Sequence, residues 1–340
     1  MKHQPKWLKY LIPALIALGG CTPDTSPVSS PSGQLDQLSL PGNSPAASAS
    51  PTASASPATN AATSRASRLL VWEVSPKGQT QPKSHLVGTV HAPLAQGYSL
   101  PAEYLSRLKS STAFYMEADV EQADSIVQQV VNLAIDSSQN LEMRLGDEYW
   151  QKLLTRLAQN RLTTPAEALR LLRPWYINLL LGSAPEDPPI DPNTILDLVL
   201  RDQARQAGIE IRYLEQPIDQ INALRAVSEA EHLRLLKDNL DQGLAKFLSE
   251  RTQVFDLYNR GDLAGFDRAE AEARQESSEY FEHVLKARNQ RWLQTLVPVL
   301  GKQSVLIAVG TLHLAGDQGL VQQLQAQGFD VRPVQVDSVP

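Results

Sequence analysis

Apolar residues fall along this chain in two rhythms. Short unbroken runs at 69–74, 86–90 and 113–116, set between turn residues, predict strands, and a helix is expected over 101–109. From about 123 to 273 the pattern takes a helical period, broken at Pro174, across 185–192 and at Gly261. Leu233, Leu236, Leu240, Leu244 and Phe247 mark one face of a helix there. Only 209–214 interrupts this section as a strand. A further helix over 276–300 leads to a strand at 304–309, a helix at 318–327 capped by Asp317, and a strand at 329–334. The pattern predicts an α/β fold, with strands at both ends of the body forming a central sheet and a large, mainly helical middle section.

Ahead of these elements the composition shifts twice. Lys2, Lys6 and Lys9 accompany a short apolar stretch, 11–18, too short to cross a bilayer comfortably, so residues 1–20 read as an export signal. Leu18-Gly19-Gly20-Cys21 resembles the bacterial lipobox, which makes Cys21, the one cysteine of the chain, the expected site of lipidation. A thiol used as an anchor leaves no disulfide and no cysteine nucleophile. Residues 21–67 are rich in Ser, Pro, Ala and Thr and contain no aromatic residue. They are expected to be a disordered tether with a span of roughly 40 Å. Together these features predict a lipid-anchored protein of the cell envelope, on the periplasmic or extracytoplasmic side of the membrane. Residues 68–340 are the expected folded body, long enough for one large core. With 31 basic and 37 acidic side chains, net −6, and no basic cluster, nucleic acid is not an expected partner.

Within the body, Leu86-Val87-Gly88-Thr89-Val90-His91 is echoed by Ala308-Val309-Gly310-Thr311-Leu312-His313. Two of the six histidines stand in this repeated setting. Each follows a strand that meets a glycine and delivers an imidazole to the rim of a sheet, where open α/β proteins keep their ligands. A third strand ends in Glu117 and Asp119, and it follows the first after a single helix. That β-α-β order brings His91 and Glu117 to the same edge. Two imidazoles and a carboxylate match the ligand set of a catalytic divalent ion, zinc among them. The same residues allow Glu117 to act as a general base instead. His232 and His283 read as surface residues. His85, on the same strand as His91, lies too far along it to join the site. No serine-nucleophile elbow, His-Glu-x-x-His helix, phosphate loop or dinucleotide fingerprint is present.

Further short motifs follow in order. They are Leu100-Pro101, Tyr213-Leu214-Glu215-Gln216 with Gln220, Tyr258-Asn259-Arg260-Gly261-Asp262-Leu263, Arg288-Asn289 with Trp292, and Gly316 with Gly319-Leu320. In this series, from 69 to 334, the chain resembles the TraB/GumN family, whose relatives include the Tiki metal-dependent proteases. The resemblance implies one α/β domain over 68–340 in which His91, Glu117 and His313 converge, with manganese or a similar ion as their metal. It implies that Arg288 binds an anionic group or stabilises an oxyanion, while Glu215 orients or caps locally. Where the family opens its central helix with a glycine-acid step, this chain has Pro189-Ile190-Asp191-Pro192, which leaves Asp191 as the nearest counterpart. The expected activity is metal-dependent hydrolysis of a peptide or protein substrate. The alternative is a non-catalytic lipoprotein that captures a peptide, a metal or haem.

Overall fold

Six strands build one sheet: β1 Val71–Pro76, β2 Ser84–Thr89, β3 Ala113–Met116, β4 Glu210–Tyr213, β5 Val305–Gly310 and β6 Phe329–Pro333. They belong to a computed structural model that describes residues 70–91, 102–182 and 194–334. The expected signal, Cys21, the tether and Asp191 lie outside the described residues. Each run expected to be a strand is one, to within two residues at either end. β2, β3 and β5 are buried along nearly their whole length, as continuous apolar strands covered on both faces should be.

The order across the sheet is β4-β3-β5-β2-β1-β6. β4, β3, β5 and β2 run parallel, and β1 is antiparallel to both β2 and β6. β5 therefore lies between β2 and β3, so the second Gly-x-x-His strand separates the first from the glutamate strand. Thr89 pairs with Gly310 and Gly88 with Val309, which puts the two motifs one residue out of step.

Helices cover the sheet. Those that matter for the site are α1 Ala102–Lys109, α2 Leu196–Gln206, α3 Pro217–Ala226, α4 Glu229–Asn259, α5 Leu263–Glu276, α6 Ala287–Leu300 and α7 Leu320–Ala326. Leu196 and Leu200 of α2, Phe266 and Ala269 of α5, and Trp292 and Leu296 of α6 join the sheet residues in one core. A second core forms inside the helical section, where Trp150, Leu153, Leu169 and Ile177 meet Leu236 and Leu240 of α4. No described helix is long and apolar enough to cross a membrane.

Three local expectations are corrected. The helix expected over 276–300 is interrupted at Ser277, where the backbone is extended and the hydroxyl accepts from the Tyr280 amide. Residues Phe281–Lys286 then take π-helical bonding before α6 begins. Asp317 does not cap α7, whose N-cap is Gly319, and its carboxylate faces Arg274 instead. His232 is buried rather than on the surface, with Nε2 2.8 Å from the Leu224 carbonyl. It shares an inward helical face with Leu236, one turn on, and burial lowers its pKa.

Candidate functional site

The four parallel strands end at one edge of the sheet, the edge where doubly wound folds bind their ligands. His91 lies two residues beyond β2, Glu117 directly after β3, and Glu215 two residues beyond β4. After β5 the chain turns at once into a short 3-10 turn, Thr311–His313. The amides of Leu214 and Glu215 donate to the carbonyls of Met116 and Glu117, both at 2.9 Å. This extends the β3–β4 pairing past the strands and brings Glu215 alongside Glu117.

Arg288, in the first turn of α6, joins these strand ends. Its Nη2 donates to Glu117 Oε2 at 2.7 Å and to Glu215 Oε1 at 2.5 Å, while Nε donates to Glu215 Oε1 at 3.0 Å. Nη1 donates to His313 Nε2 at 2.9 Å and to the Val284 carbonyl at 3.3 Å. Only a planar fork with donors on three nitrogens can hold that many acceptors at once. Trp292, one turn further along α6, lies 4.7 Å from the guanidinium and donates from Nε1 to Glu215 Oε2 at 3.2 Å. The Val284 carbonyl comes from the π-helical turn before α6.

The two motif histidines are held in opposite ways. Because His313 Nε2 accepts from Arg288, its ring proton is assigned to Nδ1, which donates to Asn289 Oδ1 at 2.7 Å. Asn289 is itself fixed by donating to the carbonyls of His313 and Gln318. Burial, and then the Arg288 charge, hold the His313 imidazole well below the usual histidine range, so it is neutral. His91 Nε2 lies 3.3 Å from Glu117 Oε1, and its Nδ1 lies 3.4 Å from Asp197 Oδ2. Burial opposes a charge on His91, but Asp197 and Glu117 outweigh it and raise the pKa to about 10, making the ring an imidazolium. For Glu117, burial alone would raise the carboxyl; His91 and Arg288 hold it well below the usual carboxylate range.

Backbone groups complete the centre. The Gly310 amide donates to Glu117 Oε1 at 2.7 Å, and Gln220 of α3 reaches Glu117 Oε2 at 3.3 Å. Tyr258 of α4 donates to the Gly88 carbonyl and Thr311 to the Thr89 carbonyl. Asp119 stays out of the centre and accepts from its own neighbours Glu121 and Gln122.

The expected three-ligand metal set does not assemble. His91 Nε2 and Glu117 Oε1 stand at a separation that two ligands of one ion tolerate. His313 does not complete the set, because Arg288 engages its Nε2 and Asn289 its Nδ1. The guanidinium occupies the space between Glu117 and His313 that a shared ion would need. Among the described residues, no three His, Cys, Asp or Glu side chains are grouped to hold a metal. The trio in this arrangement therefore does not fit a resident ion.

Gly310 tests how tightly the accessible side is built. A Cβ there would sit 3.0 Å from His91 Nε2 and 3.3 Å from Glu117 Oε1. The backbone at Gly310 has φ −53, ordinary for any residue, so crowding is the only penalty. Gly310→Ala is expected to push His91 and Glu117 apart with little loss of thermal stability, and so to lower the pKa of the His91 ring. Thermal unfolding measured beside an NMR titration of His91 separates the two effects, and an unchanged titration would show that the centre has slack.

Sequence reasoning missed Asp197 altogether. The available signal was a lone acid in the apolar run Ile195-Leu196-Asp197-Leu198-Val199-Leu200, where a carboxylate has to find a partner. Asn289, Trp292 and Gln220 were in view as family motif residues, but their roles come only from the contacts above.

Comparison with known proteins is consistent with this architecture. A family model described as TraB/PrgY/gumN matches residues 70–333. No curated protein and no solved structure matches the chain. Matched from the first strand to the last, the chain belongs to the TraB/PrgY/gumN family.

Proposed function

We propose that this chain is a hydrolase of the cell envelope, anchored through Cys21, which cleaves peptide bonds at the centre organised by Arg288. The observation that carries the reading is the different company of the twin histidines: His91 stands between the carboxylates of Glu117 and Asp197, which raise its pKa, and His313 stands between Arg288 and Asn289, where burial and the guanidinium lower its own. Perturbed groups of this kind, gathered where parallel strands end, are what acid–base chemistry needs. The His91 side chain keeps 12% of its surface exposed against 4% for Arg288, so a substrate approaches from the His91 side.

In the proposed reaction Glu117 takes a proton from the attacking water as its oxygen adds to the carbonyl carbon. His91 gives its proton to the leaving amine as the C–N bond breaks. Drawing His91 toward that amine also removes one cation from Glu117, which raises the basicity of the carboxylate when it is needed. Arg288 directs its donors to Glu117, Glu215, His313 and Val284, so it acts by holding the reacting groups rather than by meeting an oxyanion.

The test is a peptide library incubated with the purified full chain, with manganese, with zinc and with a chelator. Cleavage that survives chelation and is lost by at least a hundredfold in His91→Ala and Glu117→Ala is the expected result. Cleavage abolished by chelator and restored by manganese would return the metal to the mechanism. One-to-one binding of a peptide, a metal or haem without cleavage, unaltered by His91→Ala, would replace the hydrolase with a capture protein.

A further inference from the structure

We infer that Asp197 is the positioning residue of His91, fixing a proton on Nδ1 so that Nε2 is aimed at Glu117. The inference rests on the proposed hydrolase for its kinetic readout only.

Asp197 is the second residue of α2, inside a run whose leucines are packed in the core. A carboxylate in such a place is costly unless it is paired. Asp197 is 8% exposed, and its partners are the two polar members of the first Gly-Thr-x-His motif. Oδ1 accepts from Thr89 Oγ1 at 2.7 Å. Oδ2 has no ordinary hydrogen-bond partner and stands 3.4 Å from His91 Nδ1, close enough to tighten when substrate binds. The threonine thus holds the carboxylate, and the carboxylate faces the imidazole. With Nδ1 turned to Asp197, the ring points Nε2 at Glu117 Oε1, 3.3 Å away, and over Gly310, where there is no side chain.

The second motif supplies an internal comparison. There Thr311 donates to the Thr89 backbone carbonyl, and the Nδ1 partner of His313 is the neutral amide Asn289. The same motif is therefore given two different orienting groups. Opposite His313 the orienter is an amide that must itself be held by two carbonyls. Opposite His91 it is a carboxylate held by a hydroxyl. The orienting residue, rather than the motif, decides what each histidine does.

Asp197→Asn tests this directly. The amide keeps its oxygen on Thr89 and turns its NH2 toward His91, which forces Nδ1 to become an acceptor, so the imidazolium gives up its Nδ1 proton and the ring is left neutral with its proton on Nε2. Ring nitrogen spectra of the ¹⁵N-histidine-labelled full chain, with His91 assigned through His91→Gln, should show Nδ1 protonated in the wild type and unprotonated in Asp197→Asn. The turnover number should fall by about 10²–10⁴ with KM changed little, because a neutral imidazole is a far weaker acid toward the leaving amine than an imidazolium. Thr89→Val, which frees the carboxylate but leaves it in place, should give an intermediate loss. A residue with a merely structural role would not move the ring signals.

An unprotonated Nδ1 in the wild type, or His91 signals identical in Asp197→Asn, overturns the inference. Both readings are independent of any cleavage assay. If Asp197→Asn does not fold, the wild-type spectrum and Thr89→Val decide the question. If the wild type cleaves nothing yet the ring signals move as described, the hydrolase reading fails while the positioning role stands.

Discussion

Replacing Arg288 with methionine is expected to destabilise the fold by about 3–5 kcal/mol, the usual cost of breaking a buried charge pair by removing one partner. The expectation follows from what the guanidinium touches. Without it, Glu117 loses its closest cation, and Glu215 retains only Trp292 and the more exposed Arg291, 3.8 Å away. At roughly 2–4 °C per kcal/mol for a body of this size, the melting temperature should fall by about 10 °C. Arg288→Lys should recover only part of the loss, because a single ammonium cannot serve Glu117, Glu215 and His313 from one point. Adding Glu215→Gln to Arg288→Met should restore stability, since the stranded carboxylate is then neutral, and the two changes should be clearly non-additive. Thermal and urea unfolding of the set measures this. An Arg288→Met chain as stable as the wild type would mean that the charge centre contributes nothing to the fold.

The second large effect is on pH dependence. His91 has its folded pKa raised to about 10 from an unfolded value near 6.5. A raised value means that the folded chain holds the proton more tightly, so this contribution is full below about 6.5 and is lost as pH climbs toward 10. His313 has the opposite sign. Its folded pKa is well below 6.5, so the unfolded chain takes up the proton first and stability falls as pH drops below about 6.5. His85, lowered to about 4 mainly by burial, and His232, lowered for the same reason, add to this acid limb. Urea unfolding from pH 5 to 10 should therefore give a dome with its top near 6.5. His91→Gln should flatten the alkaline limb, where a few kcal/mol are at stake, and leave the acid limb standing. A curve flat from pH 7 to 10 in the wild type would contradict the buried ion pairs of His91.

The strands and the edge they share were legible in the sequence because each signal is local. A run of β-branched and apolar residues between turns needs no knowledge of what packs on it, and the β-α-β order puts His91 and Glu117 at one edge because its two strands run parallel. The insertion of β5 between β2 and β3 pairs segments about two hundred residues apart, and no local pattern encodes it. Arg288 was legible as a member of the site but not as the group that meets both Glu117 and His313. The direction of a side chain on a helix depends on the π-helical turn before it, which leaves no mark in the periodicity. Asp197 and His232 were misread or overlooked for one shared reason. Polar residues on inward helix faces look like surface positions until their buried partners, Thr89 and Leu224, are known.

The place of β5 in the sheet also sets when the centre can exist during synthesis. β5, the last but one of the described strands, ends on Gly310 and leads into His313, yet it is the one that β2 and β3 must both pair with. Until residue 310 has emerged, β2 and β3 have no neighbour in common, and Glu117 has no Gly310 amide to accept from. Contacts this distant in sequence form slowly, because the loop between them must close first. The helical section, whose own core closes among residues 141–240, needs nothing from β5 and can collapse earlier. Closure of the charge centre is thus expected among the last events in folding, and a chain interrupted before β5 would hold its acids and Arg288 without the strand that brings them together.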